Sequence, residues 1–350
     1  VDADFFPGYL DESPTRSLSF PAASFSSSIF WSTRTVMHSA KLIWMNGKLI
    51  PWHEATVHVL THALHYGSSV FEGIRSYDTP QGPAIFRLQP HMQRLFDSAK
   101  CYRMPVPYTP AELTDACCQV VAANGLKGAY IRPLIFRGQG TVSVIPKGES
   151  HIDVCIVAFE LGEYLGTGAL ENGIDCCVSS WHRVTSSSNP VLAKAGGHYT
   201  NAYLIGAEAR ANGFDEGISI NPNGMIAEAA AANLFLVRGG VLYTPPLAAS
   251  VLGGITRDSV IRLAQDLGLT VVQEQLPREL LYICDELFLT GTAAEITPVR
   301  SVDRIPVGSG RPGPVTRQLQ KAFFDVARGL APDQHGWLDF VTQPQAALQS

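Results

Sequence analysis

Lys194 lies in the run Pro190-Val-Leu-Ala-Lys-Ala-Gly-Gly-His-Tyr199, bracketed by Val191, Leu192, Ala193 and Ala195. Lysine is ordinarily a solvated surface charge, so an apolar setting asks for a reason. Chemistry is one. Desolvation weakens the preference for the ammonium form, and the free amine can then condense with an aldehyde. The structural alternative is a lysine in a connecting loop, its stem packed and its head in water.

Two stretches downstream bear on that choice. Glu228 stands in a largely apolar run from Met225 to Phe235, where a carboxylate is costly unless it is paired. A protonated ring nitrogen is a suitable partner. Gly253-Gly254-Ile255-Thr256 opens a segment, Arg257 to Leu267, with apolar residues at Val260, Ile261, Leu263, Ala264 and Leu267. That spacing is one helical face. A glycine turn entering a helix offers free N–H groups and the positive end of the dipole, which suits a phosphate; taken alone it is equally an ordinary cap. An amine, a buried acid and a phosphate cup are what pyridoxal 5′-phosphate (PLP) requires of its protein. The three together, in this order, favour that cofactor.

With those residues in view, the chain resembles a known family. The run Glu228-Ala-Ala-Ala-Ala-Asn233-Leu-Phe235, with Thr244, Leu252, Gly254, Ile255 and Arg257, is similar to the class IV aminotransferase signature. Within that class it most resembles the bacterial branched-chain amino-acid aminotransferases. Supporting stretches are His62-Ala-Leu-His-Tyr-Gly67, Phe71-Glu-Gly-Ile-Arg75, His91 to Lys100, Ala129 to Phe136, Ala193 to Gly197 and Gly291-Thr-Ala-Ala-Glu-Ile-Thr-Pro298. The resemblance runs from about Ile43 to Val341.

The resemblance implies an α+β chain of the two-domain PLP fold type IV (D-amino-acid aminotransferase-like), with the cofactor at the domain interface and a homodimer as the working unit. It makes Lys194 the Schiff-base lysine and the acid and base of the proton shift. Glu228 would hold the pyridine nitrogen and Tyr199 the ring hydroxyl. Arg94, the backbone of Ile255, Thr256 and Thr292 would grip the phosphate, arginine because its fork matches phosphate oxygens. Thr292 and Ala293 in the Gly291–Ala294 turn, with Tyr130, would take the substrate α-carboxylate. Arg132 would take the distal carboxylate of glutamate, and Phe71, Tyr66 and Tyr164 would wall the branched side chain. Without the family, Arg132 reads as a structural ion pair and the aromatics as core packing.

The implied reaction is ping-pong transfer of an amino group between leucine, isoleucine or valine and 2-oxoglutarate. A D-amino-acid or (R)-amine transaminase, a PLP lyase of the aminodeoxychorismate type and a non-catalytic PLP-binding protein are the alternatives. One departure sits close to the chemistry: Ala229–Ala232 stand where the family carries glycines and a second glutamate. That leaves open whether a glycine-only backbone is needed there, and what a carboxylate in place of Ala232 would have done. Gly140 to Pro146 also lacks an expected glycine in the interdomain turn.

Composition restricts the classes. Charged residues are 16% of the 350 and hydrophobic ones 46%, which describes a packed globular chain. A formal net charge of −5 with mixed signs gives no basic footprint for nucleic acid and no polybasic stretch for a membrane. No apolar run approaches the roughly 20 residues of a bilayer span. The seven cysteines are odd in number and include adjacent pairs (Cys117-Cys118, Cys176-Cys177) with no C-x-x-C. They point to a reducing, cytoplasmic setting rather than a disulfide framework or a zinc site. His53, His58, His62 and His65 lack a nearby Cys or Asp to complete a metal set, and Val57, Val59 and Leu60 favour an extended segment.

The elements that must position these residues follow from pattern. Residues 1–36 are Ser-, Phe- and Pro-rich without periodicity and read as a disordered extension; its acidic residues argue against a transit peptide. Residues 37–161 read as a smaller α+β domain, with strands at Leu42–Met45, Ala84–Leu88, Tyr130–Phe136 and Asp153–Phe159. A hairpin at Asn46-Gly47 and a helix from Pro90 to Tyr102 complete it. The glycine-rich 162–169 reads as the linker. Residues 170–342 form the larger, PLP-binding domain, and 343–350 a tail. In it, strands are expected at Ile174–Ser179 and Gly217–Ile220, a helix at Tyr199–Ala211, and hairpin turns at Asn221–Gly224 and Gly239-Gly240.

Overall fold

The strand Ile152–Phe159 alternates buried and half-buried residues along its whole length, as a strand with one covered face does. It belongs to an antiparallel sheet ordered Leu338–Phe340, Gly82–Phe86, Ile74–Thr79, Ala129–Arg137, Ile152–Phe159, Leu42–Met45 and Lys48–Pro51. Ser69–Phe71 pairs alongside Ala129–Arg137. The computed structural model describes residues 40–140, 143–146 and 151–342; the expectations for 1–36, for 343–350 and for part of Gly140–Pro146 lie outside the described residues.

Asn46 and Gly47 turn the first hairpin, both at positive φ (47° and 90°), between Met45 and Lys48. That is the conformation a two-residue hairpin demands. Two helices, Leu88–Cys101 and Pro110–Ala123, cover one face of the sheet. Leu88, Met92, Leu95 and Ala99 meet Leu113, Cys117, Val120 and Val121 over Ile131, Ile135, Val154 and Ile156. The first helix starts two residues earlier than its sequence pattern, because Arg87 at φ 58° ends the preceding strand at Phe86 and Leu88 already buries. The second was not foreseen, although Thr109 and Glu112 close a reciprocal capping box with Pro110 behind it.

The second sheet is mixed. Its order is Ile226–Ala229, Glu216–Ile220, Ile174–Val178, Glu295–Val302, Glu286–Gly291, Asn233–Arg238, Val241–Thr244 and Val271–Gln273, with Ile305–Pro306 off Glu295–Val302. Gly239 and Gly240 (φ 58° and 78°) turn the hairpin between Arg238 and Val241. Phe235 and Phe288, both fully buried, stack at 5.3 Å between centroids. The helices Ile255–Asp266 and Pro314–Ala327 close over them with Val260, Leu263, Leu319 and Phe323.

Both sheets lie in one compact unit. Tyr77 and Phe86 of the first sheet share a buried cluster with Phe288 of the second and with Leu319 and Phe323 of the helix Pro314–Ala327, so the space between the sheets is closed at the back. One expected boundary needs correction. Leu338–Phe340 does not stay with the larger region: it pairs antiparallel with Gly82–Phe86, Leu338 opposite Phe86, and covers that edge of the first sheet. The extended reading around His58 also stops short of His62, because His62–Tyr66 is a helical turn closed by Gly67 at φ 64°. His62 is committed locally, its Nδ1 2.6 Å from the Ser68 hydroxyl and its Nε2 3.0 Å from the Ser143 carbonyl.

Candidate active site

Lys194 is held by its backbone before its side chain does anything. Its N–H donates to the Ser98 hydroxyl on the helix Leu88–Cys101 (2.9 Å), and its carbonyl accepts from the Phe71 N–H (3.0 Å). Ala195 bridges to Val70. The lysine therefore projects into the space between the sheets from a strap fixed to both a helix and a strand. Its Nζ is 2.6 Å from the Tyr199 hydroxyl and 5.0 Å from the Phe71 ring centroid. Tyr199 opens the helix Tyr199–Ala211.

Opposite stands Glu228, buried in the strand Ile226–Ala229. Its Oε2 accepts from Asn233 Nδ2 (2.9 Å) and from the Leu252 N–H (3.0 Å), and its Oε1 is 2.7 Å from Arg183 Nη2. Burial pushes the Glu228 carboxyl above its ordinary range, and Arg183, the Leu252 N–H and Lys194 pull it back. None of Ala229–Ala232 has a positive φ. The turn that carries Glu228 to Asn233 thus forms in a conformation alanine adopts freely, and no glycine is required there.

The helix Ile255–Asp266 is 12 residues long, and its cap residue, Gly254, supplies no side-chain hydrogen bond. Its first N–H groups, those of Ile255 and Thr256, are left to an anion. Gly254 is required by close approach: a Cβ there would stand 1.8 Å from Asn233 Oδ1. Arg94 reaches the same place from the other sheet's helix. Glu72 clamps it, accepting from Nε (2.7 Å) and Nη2 (2.8 Å), while Nη1 donates to the Gly253 carbonyl (2.8 Å). His91 Nδ1 lies 2.6 Å from Glu72 Oε2. Burial alone would raise the Glu72 carboxyl, but Arg94 and His91 hold it far below the usual carboxylate range. Arg94 therefore ties the helix start to the first sheet and still has N–H bonds left over.

A cavity between the sheets is lined by Phe71, Arg94, Tyr130, Arg132, Tyr164, Lys194, Tyr199, Glu228, Ile255, Thr256, Thr292 and Ala293. Every expected site residue but one is there. Tyr66 is the exception: in the single chain it is 39% exposed, packs its ring on His62 at 4.6 Å and stands outside this lining. It ends the short surface helix His62–Tyr66. Arg132 donates from Nη2 to the Tyr130 hydroxyl (2.9 Å) and lies 4.5 Å from the Phe71 ring centroid. Sequence reasoning missed Arg183 and His198, which also line the cavity, and Glu72 and His91 behind it. Arg183 sits in a Ser- and Thr-rich loop with no periodic pattern, and only the need of Glu228 for a partner pointed to it.

PLP fits this lining. Three buried polar atoms of cavity residues, Arg132 Nε, Arg183 Nε and Thr290 Oγ1, have no hydrogen-bond partner among the described residues, and such atoms are rare unless something else satisfies them. The amine, the acid and the uncapped helix start lie around the same space.

His198 carries a testable pH dependence. It is buried, its Nε2 lies 2.8 Å from the Tyr102 hydroxyl, and burial with Arg183 nearby pulls its imidazole down to about 4. In the unfolded chain a histidine titrates at about 6.5. The fold thus favours the neutral ring: this stabilisation is complete above the unfolded value and is lost as pH falls through the folded one. The loss should reach roughly 2–3 kcal/mol. Thermal melts should show wild type losing stability relative to His198→Gln across that window; parallel curves would take the effect away from His198.

The class IV aminotransferase family matches residues 69–302. The chain belongs to that family, and the α+β architecture is that of its solved members. Among similar proteins is the branched-chain-amino-acid aminotransferase of Escherichia coli strain K12, 55% identical over 304 residues, 87% of this chain and 98% of that one. A crystal structure of the Escherichia coli branched-chain amino acid aminotransferase superposes with a TM-score of 0.86 at 54% identity, covering 87% of this chain and 100% of the other. The branched-chain amino acid aminotransferase from Thermobaculum terrenum, in its PLP form, gives 0.81 at 37% identity, covering 87% and 99%. Among the described residues no helix is long and apolar enough to cross a membrane.

Proposed function

We propose that this protein is a PLP-dependent transaminase that moves the amino group between branched-chain L-amino acids (leucine, isoleucine, valine) and 2-oxoglutarate. The carrying observation is one cavity in which Lys194, Tyr199 and Glu228 face an apolar wall that also contains a cation, Arg132. Bound PLP supplies an electron sink for negative charge developing at the substrate α-carbon. Glu228, paired with Arg183, would face the pyridine nitrogen, and Tyr199 the ring hydroxyl. Arg94, Thr256, Thr292 and the Ile255 N–H hold the phosphate. The Nζ of Lys194 would take the proton from the substrate α-carbon as base and then give it up as acid, two roles that one amine can perform in turn.

The two substrates share one site. The Thr292–Ala293 turn and Tyr130 receive the α-carboxylate, which both possess. Phe71 and Tyr164 receive the branched side chain, and Arg132 the distal carboxylate of glutamate. Arg132→Leu should raise KM for glutamate and 2-oxoglutarate roughly ten- to a hundredfold, the scale of a charge-assisted hydrogen bond removed from a desolvated site. The leucine reaction should suffer only the small loss that comes from freeing the Tyr130 hydroxyl. Equal losses for both substrates would make Arg132 structural, and no loss would move the distal carboxylate elsewhere.

The working unit in this reading is a homodimer in the cytoplasm. Val57, Val59, Leu60, Leu64 and Tyr66 stand exposed within ten residues, a patch of the kind that protein contacts cover. Tyr66 would serve a substrate wall only in that assembly. All seven cysteines are free, in keeping with a reducing compartment.

A further inference from the structure

The turn that carries Thr292 and Ala293 ends on a residue in an unfavourable conformation. Gly291 pairs with Glu295 across the hairpin, and Glu295 closes it at φ 51°. A non-glycine residue there persists where its surroundings hold it. The side chain shows what holds it. Glu295, 6% exposed, accepts a hydrogen bond on Oε1 from the Tyr77 hydroxyl (2.9 Å) and lies 3.5 Å from Arg75 Nη1.

Arg75 and Tyr77 are two apart on the strand Ile74–Thr79, so they point to the same side of the first sheet. Arg75 has a second attachment. Its Nη2 donates to the Leu161 carbonyl (3.1 Å), three residues before Tyr164. In register it is opposite Tyr130. One guanidinium therefore touches the end of the carboxylate turn and the approach to Tyr164, and sits beside Tyr130. Its Nη1 is buried with no hydrogen-bond partner among the described residues, which leaves the Glu295 charge to balance it. Burial pushes the Glu295 carboxyl up, and Arg75 is the strongest influence drawing it back.

We infer that Arg75 and Glu295 are positioning residues for the amino-acid substrate: their contact across the two sheets sets the Thr292–Ala293 turn and the Tyr164 segment at the spacing an α-carboxylate needs. Neither touches substrate. The inference rests on the reading above that this turn receives the α-carboxylate. It separates two functions of the cavity, because the latch grips the substrate half and leaves Arg94 and the helix start alone.

The test uses holoenzyme and 4-methylvalerate, which has the carbon skeleton and carboxylate of leucine but no amine to react. Its Kd is read from the change in cofactor absorbance, alongside KM and kcat for leucine and retention of PLP. Glu295→Gln and Arg75→Gln should each weaken 4-methylvalerate and raise KM for leucine roughly tenfold, with kcat within about threefold and PLP retained. Arg75→Lys should recover part of the loss. The double variant, which leaves no lone buried charge, should be no worse than the weaker single one, as expected for partners in one contact. If the single variants fail to fold, the double one carries the comparison and should still bind 4-methylvalerate more weakly than wild type. Folded variants that bind it like wild type, or penalties that multiply in the double variant, overturn the inference. Ala293→Pro, which removes one N–H of the turn, distinguishes the two levels. If it leaves binding unchanged, the carboxylate assignment itself falls; if it weakens binding while Glu295→Gln does not, only the latch falls.

Discussion

Lys194→Ala should lose turnover by roughly 10⁴-fold or more while the protein stays folded, because it removes the group proposed both to hold the cofactor and to move the proton. The fold should hardly respond. The strap around residue 194 is fixed by backbone bonds to Ser98 and Phe71, which alanine keeps. The side chain gives up one hydrogen bond, to Tyr199, worth about 1 kcal/mol. Circular dichroism and thermal melts would establish the folded state. Absorbance would report loss of the lysine-bound cofactor, and turnover would be followed with no amine added. Sustained transamination by this variant would remove Lys194 from the chemistry.

The second large effect is at Glu228. Glu228→Gln should retain PLP through Arg94 and the helix start but lose about 2–4 kcal/mol of transition-state stabilisation, the scale of one preorganised electrostatic group. An amide has no charge to keep the pyridine nitrogen protonated, so the electron sink weakens. There is a second cost. The substitution leaves Arg183, 2.7 Å from Glu228 and equally buried, without its counter-charge, and breaking a buried pair in this way destabilises by about 3–5 kcal/mol. The melting temperature should therefore fall together with kcat. Arg183→Gln should share the stability loss but, with the carboxylate still in place, lose less rate. A Glu228→Gln enzyme with unchanged kcat would place the acidic partner elsewhere.

Much of this site was legible because its members are residues in the wrong company. A lysine among Val, Leu and Ala, and a glutamate in an alanine-rich strand, each violate the usual partition between surface and core, and both face the cavity. The glycine pair before Ile255 likewise announced an uncapped helix. What stayed hidden is the layer behind them. Glu72 and His91 lie in stretches whose pattern is satisfied by ordinary packing, and only distance shows that they aim Arg94. Arg183 had no local signal at all. Tyr66 was placed on the substrate wall through resemblance alone, and a single chain leaves it outside.

For the fold, two elements stayed hidden for different reasons. The helix Pro110–Ala123 carries a readable capping box, yet its cysteines and alanines blur the apolar stripe. Leu338–Phe340 is three residues long, and its pairing with Gly82–Phe86 is a long-range contact that no local pattern encodes. The alanine run shows the opposite case. Of the two concerns it raised, backbone freedom is removed by the φ values of Ala229–Ala232; the other is the carboxylate that Ala232 lacks.

The most direct measurement of the central claim is a half-reaction with purified holoenzyme and no amino acceptor. With L-leucine the cofactor absorbance should change in one turnover, releasing one equivalent of 4-methyl-2-oxopentanoate per site, and added 2-oxoglutarate should restore the spectrum and yield L-glutamate. A spectrum that responds instead to D-alanine or (R)-1-phenylethylamine and ignores L-leucine would contradict the account.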